Sequence, residues 1–278
     1  MKLELKLSDT ENSIVNLKVE EDAKMSNYFL QLEERVKKEA SIIESFEYTF
    51  GSPNMEEYTI PMTIIIYPKE INKEGSNKLL VSGQEAPLEI DGTMLKGTIM
   101  VDIFKELDSK LIIEDKSKSK IEKLEINEDL ISKAFPFIKA QCKWREGVFY
   151  TKDSQEAKGE YCKEGALMGT VAPTESGNNI ISAKFMVEID GEVVSEEKLD
   201  TFNGLWLDIN EKHTITANQT VNMLIVGVDT YGFTHKYILD RFQLNDNAEP
   251  IYDNKMNFIN HEIILDPKGH VVYTSASF

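Results

Sequence analysis

The groups in this 278-residue chain that could carry chemistry are four histidines, two cysteines and 48 acidic side chains. Their spacing restricts what that chemistry is. His261-Glu262 opens like the zinc motif H-E-x-x-H, but Leu265 stands where the second histidine belongs, so the helix-borne metal site is missing. Cys142 and Cys162 are not in C-x-x-C spacing. Bridged, they would close a loop worth about 3 kcal/mol, yet two thiols in a chain this long do not make a disulfide framework. The sequence has no G-x-S-x-G elbow, no G-x-x-x-x-G-K-[ST] loop and no G-x-G-x-x-G fingerprint. Nothing therefore marks a serine nucleophile or a glycine cradle for phosphate. His213, His235, His261 and His270 fall in predicted strands and turns, where a solvated or structural imidazole is the simpler reading.

Calcium is the one cofactor with candidate ligands. Asn245, Asn247, Glu249 and Asp253 put hard oxygens into one polar stretch, with Asp246 among them. The EF-hand pattern fails there, because the turn glycine and the closing glutamate are missing, and a solvated loop is the simpler alternative. Otherwise no cofactor is expected. Paired carboxylates would suit a carbohydrate-active hydrolase, which requires a cleft holding two of them about 5–10 Å apart. Between Glu188 and Glu211 eight acidic residues accompany one lysine. Glu188, Asp190, Glu192, Glu196 and Glu197 are candidates for binding a basic partner, with protection of a sheet edge as the plainer explanation. Trp206, Tyr231 and Phe233 stand near predicted strand ends and are candidates for a protein- or sugar-binding platform. Core packing competes with that reading, most strongly for Trp144 and Trp206.

The formal net charge is −17, from 48 acidic against 31 basic residues. Tracking a phosphate backbone or an anionic membrane needs the opposite sign, so neither nucleic acid nor a membrane surface is an expected partner. No run of about 18 apolar residues is present to span a bilayer. The opening MKLELKLSDTENS lacks the apolar core of a signal peptide. Two settings fit: release without Sec export, as in a lytic particle or the cytosol, or the mature part of an exported protein.

These residues must be positioned by mostly extended chain. Leu3, Leu5 and Leu7 alternate with charged residues and predict a first strand, with a turn at Asp9–Ser13. From Asp22 to Ile43 the period changes. Met25, Phe29, Leu32, Val36, Ala40 and Ile43 recur at three- and four-residue steps, predicting an amphipathic helix N-capped by Asp22 and packed on its own sheet. The alternative is a helix that binds a partner through that face. Strands are predicted at 46–50, 57–67, 78–81 and 93–104, and Asp91-Gly92 marks a hairpin. Asn127–Phe135 reads as a short helix stopped by Pro136. Lys152–Gly177, with Gly159, Gly165, Gly169 and Gly177, reads mostly as loop. From Asn178 to Phe242 short β-prone runs alternate with turn signals, at the spacing of a β-sandwich.

The expected fold is mainly β: antiparallel, immunoglobulin-like β-sandwich domains with one N-terminal helix on a sheet. The expected domains are an N-terminal one over 1–135 and a C-terminal sandwich over 136–278. The favoured function is a non-enzymatic binding or structural protein of a bacterial cell surface or phage-like particle, with protein or carbohydrate partners. A cytosolic scaffold or regulatory protein and a carbohydrate-active hydrolase are the alternatives.

Overall fold

The computed structural model describes residues 2–71, 73, 75–115, 118–145, 150–153, 157–251 and 261–275. In chain order the elements are α1 (Lys2–Ala40), β1 (Ile43–Phe50), β2 (Thr59–Pro68), β3 (Ser76–Val81), β4 (Gln84–Pro87), β5 (Glu89–Asp91), β6 (Met94–Asp102), β7 (Ser109–Asp115) and β8 (Lys118–Leu124). There follow α2 (Leu130–Ala134), β9 (Phe137–Trp144), β10 (Tyr150–Lys152), β11 (Lys158–Ala172), β12 (Ile180–Ile189), β13 (Glu192–Leu199), β14 (Leu205–Thr216), β15 (Thr220–Asp229), β16 (Thr234–Gln243), β17 (His261–Leu265) and β18 (Val271–Thr274). The chain is mainly β, with several antiparallel sheets and one long N-terminal helix. It divides into two compact units. One contains Met1–Thr49, Met62–Ile99 and Leu107–Ile126; the other contains Asn127–Phe278 together with Phe50–Pro61 and Met100–Glu106.

In the first unit the opening strand expected at Leu3–Leu7 is instead helix, and α1 runs unbroken for 39 residues. The reason is compositional. The first 50 residues contain neither glycine nor proline, and Leu, Glu and Lys, all good helix formers, dominate them. Three alternating leucines are too short a signal to outweigh that. Asp22 accordingly lies inside the helix and is not a cap. The C-terminal end is firmly tied. The Lys69 ammonium donates to the carbonyls of Lys38 and Glu39, at 2.6 and 3.4 Å, two of the acceptors that a helix end leaves open. Glu122 on β8 accepts from the Ser41 hydroxyl and the Ile42 N–H, at 2.5 and 2.6 Å. The unit's buried apolar side chains come from its strands, among them Met62, Ile64, Ile66, Leu79, Leu95, Leu111 and Leu124. No described side chain of α1 is buried, so Met25, Phe29, Leu32 and Val36, expected to pack on a sheet, are instead exposed.

In the second unit β13-β12-β15-β16-β17-β18 form one sheet and β10-β11-β14 another, in which β9 also pairs with β11. Register explains the core. Phe185 stands opposite Ile225, and Ile225 opposite Tyr237; in the other sheet Leu167 faces both Leu207 and Cys142. Side chains of both sheets, including Ile138, Leu167, Leu207, Phe185, Met223 and Ile225, merge into one apolar cluster. Because side chains alternate along a strand, a one-residue slip would expose each of these sets. α2 starts two residues later than predicted, since Asp129 rather than Asn127 accepts the Ile131 N–H as N-cap.

The segment expected to be loop, Lys152–Gly177, contains the longest strand of the chain, β11, of 15 residues. Its glycines are there for close approach. A Cβ at Gly165 would lie 2.7 Å from the Lys143 carbonyl oxygen and from the Trp144 ring. One at Gly159 would lie 2.5 Å from the Tyr150 ring. The two Asp-Gly hairpins also differ. At Asp190-Gly191 both turn residues have positive φ, 51° and 86°. At the β5–β6 hairpin Asp91 pairs with Met94, so Gly92 leads the turn with φ 61° and Asp91 remains in the strand. Gly165→Ala is expected to cost about 1–3 kcal/mol, because the obstructing atom is backbone and cannot swing aside. Chemical denaturation of the variant measures this; an unchanged midpoint would remove the close-approach explanation.

Candidate functional site

The acidic stretch begins in the β12–β13 hairpin and runs on into β14, and β13 is an edge of the six-stranded sheet. Its members are not equivalent. Glu188 is buried to 9% exposure and lies 3.5 Å from the Lys236 ammonium. Asp190 forms the hairpin turn, and its carboxylate accepts the Thr220 N–H at 2.9 Å. Glu196 pairs with Lys184 at 2.7 Å. Glu192 and Glu197 are exposed. Glu197 stands opposite the core residue Phe185, so an apolar strand added to this edge would meet a charge where it needs a hydrophobe.

The aromatic candidates separate. Trp206 is 60% exposed on β14, because its neighbours Leu205 and Leu207 face the core and alternation turns it outward. Tyr231 is 45% exposed at the β15–β16 turn. Phe233 is buried, edge-on to Phe135 and Tyr58 with ring centroids 5.3 and 6.2 Å apart, and offers no surface to a partner. Trp144 is half-buried beneath the Lys163 ammonium, 4.5 Å from the ring centroid. Phe202, which the sequence reading passed over, is 94% exposed in the β13–β14 turn. Only its place between Asp200 and Asn203 could have signalled it: Asp200 accepts the Phe202 and Asn203 N–H groups and so holds the turn that presents the ring.

In the calcium candidate loop the oxygens are already engaged. Asn245 Oδ1 accepts the N–H groups of Asn247 and Glu249, both at 2.9 Å. Lys152 Nζ donates to the Asn247 carbonyl at 2.5 Å and lies 4.0 Å from Glu249, so an ammonium stands beside these oxygens. Asp253 lies outside the described residues. Among the described residues no three His, Cys, Asp or Glu side chains converge as a metal site. Both cysteines are free thiols, and burial, with Asp240 nearby, pushes Cys142 up to about 12, too high for a thiolate nucleophile at neutral pH.

Two polar chains could be mistaken for catalytic sets. Glu211 accepts from the Ser195 hydroxyl at 2.9 Å and contacts His213 Nε2 at 2.7 Å. A nucleophilic triad needs the imidazole between hydroxyl and carboxylate; here the carboxylate is in the middle, and His213 contacts Glu211 instead of Ser195. The other chain is buried. His235, with no exposed surface, lies between Asp229 at 3.3 Å and Glu262 at 3.2 Å. Asp229 also accepts from Asn178 Nδ2 and from the Tyr231 and Phe233 N–H groups, each at 2.9 Å. A concavity of about 300 Å³ in the second unit is lined by Lys184, Glu196, Glu197, Lys198, Val226 and Val228. Its two carboxylates are strand neighbours, which point to opposite sides of β13.

An exposed apolar feature is in the first unit. On α1, Met25, Phe29, Leu32 and Val36 are 59%, 59%, 38% and 64% exposed, and Val19, Tyr28 and Leu30 are exposed as well. Four of these follow the helical stripe that the sequence had assigned to packing. No described helix is long and apolar enough to cross a membrane. The class defined here is a mainly β chain carrying an exposed amphipathic helix. No protein-family model, curated protein or solved structure matches it.

The buried histidine sets a pH dependence. Burial alone would lower the His235 pKa, but its bonds to Asp229 and Glu262 outweigh that and raise it. Burial alone would raise Asp229, but its bonds to His235, Asn178 and the Phe233 N–H lower it. A raised histidine stabilises fully below its unfolded value, about 6.5, and that stability is lost as pH rises through the folded pKa. The lowered aspartate acts oppositely, its contribution being lost as pH falls below about 4 through its folded pKa. Melting temperature is therefore expected to fall as pH is raised above 6.5. His235→Gln should abolish that alkaline slope at an overall cost of about 3–5 kcal/mol, since two buried carboxylates lose their cation. An unchanged slope in the variant would show that the histidine does not carry the effect.

Proposed function

We propose that this is a non-enzymatic structural protein in which α1 is the assembly element and the β-rich units are presented to protein or carbohydrate partners. The observation that carries the reading is the exposed Met25–Phe29–Leu32–Val36 stripe on a helix whose described side chains are nowhere buried. Helices in proteins draw most of their stability from packing an apolar face, so this face is built to be covered. Because they are already partly covered, burying the four side chains contributes on the order of 3–7 kcal/mol per helix, so a pair of helices reaches the range of the roughly 4–15 kcal/mol that association costs.

The second unit suits presentation. Its two sheets share one core, as in an immunoglobulin-like β-sandwich, and Trp206, Tyr231 and Phe202 supply exposed aromatic surface. A cell surface or phage-like particle is the setting that such a chain fits, and its acidity keeps the displayed units soluble and apart. The hydrolase reading has the weaker support, because in the concavity lined by Glu196 and Glu197 the two carboxylates are on adjacent strand residues. Replacing Met25, Phe29, Leu32 and Val36 together by serine is expected to release the chain from its assemblies while β-sheet circular dichroism is retained. Sedimentation velocity makes the comparison, and a variant that assembles like the wild type would overturn the reading.

A further inference from the structure

We infer that α1 pairs with α1 of a second copy of this chain, as a parallel, in-register coiled coil; this rests on the reading of α1 as an assembly element. Counted back from Val36, the three- and four-residue steps run through Leu32, Phe29, Met25, Glu21, Leu17, Ile14, Thr10, Leu7 and Leu3. In the sequence the repeat thus runs from Leu3 to Val36. In heptad terms Leu7, Ile14, Phe29 and Val36 take position a, and Leu3, Leu17, Met25 and Leu32 take position d. β-branched residues at a with leucine at d, as in Ile14 with Leu17 and Val36 with Leu32, favour two parallel strands. From Leu17 to Phe29 three four-residue steps follow one another, which is a stutter. A parallel, in-register copy carries the same irregularity at the same height; the two Glu21 side chains then meet in the seam, which specifies the register at a cost in stability because both are carboxylates.

Charge points to the same occupant. α1 has seven basic and nine acidic residues, so 15 of the 17 net negative charges belong to the remainder of the chain. A strongly acidic chain repels its own copies everywhere except along this nearly balanced helix. In parallel register the g position Lys6 faces the e position Glu11 of the other copy, twice by symmetry.

The test uses the full chain with Cys142→Ser and Cys162→Ser and a spin label at Ser8→Cys or at Lys38→Cys. Pulsed electron–electron double resonance then gives the distance between copies, and sedimentation equilibrium of the unmodified chain gives the mass. A dimer is expected, with short distances at both sites, near the ~10 Å axis spacing plus the label arms. An antiparallel pair places each label about 45 Å along the axis from its counterpart, and that result overturns the proposal. A chain that is monomeric alone overturns it too, whereas the assembly role of α1 fails separately, only if the four-serine variant still assembles.

Discussion

Asp229 is the group on which the organisation of the second unit converges. Its carboxylate closes the β15–β16 hairpin through two backbone N–H groups and holds Asn178, which in turn donates to the Ala134 carbonyl at the end of α2. Through His235 it reaches Glu262 on β17. Four polar side chains are thereby buried and mutually satisfied, at the ends of elements far apart in sequence. Such a network is stable only when complete, because any missing member leaves a buried charge or donor without a partner. The cluster is closed: the histidine and the two acids bond to one another, to Asn178 and to the backbone.

Much of the strand pattern is legible in the sequence where alternation is long. Leu205-Trp206-Leu207-Asp208-Ile209 alternates, and the structure buries its leucines and isoleucine. The same phase turns Trp206 outward; treating a tryptophan as core weighs residue type above position. The glycines of β11 mislead for a different reason. Local sequence cannot distinguish a glycine that turns the chain from one that admits a neighbouring backbone, and the neighbours of Gly165 come from β9. The Asp229–His235–Glu262 network is likewise invisible in advance, since its members are joined only by sheet register.

α1 shows the limit of periodicity. The Met25–Val36 stripe is legible, but what covers it is not a property of the helix alone. The strands of the first unit bury their own apolar faces, and the stripe remains exposed. The neglected signal at the start of the chain was the run of 50 residues without glycine or proline, which lets one helix continue where a strand and a turn were expected.

The most direct measurement is amide hydrogen exchange along α1 as a function of protein concentration. If the stripe is an assembly surface, amides between Val19 and Val36 exchange slowly at high concentration and lose protection on dilution, while those of β12 and β15 do not change. Rapid exchange along α1 at every concentration, including that at which the chain works, would contradict the account.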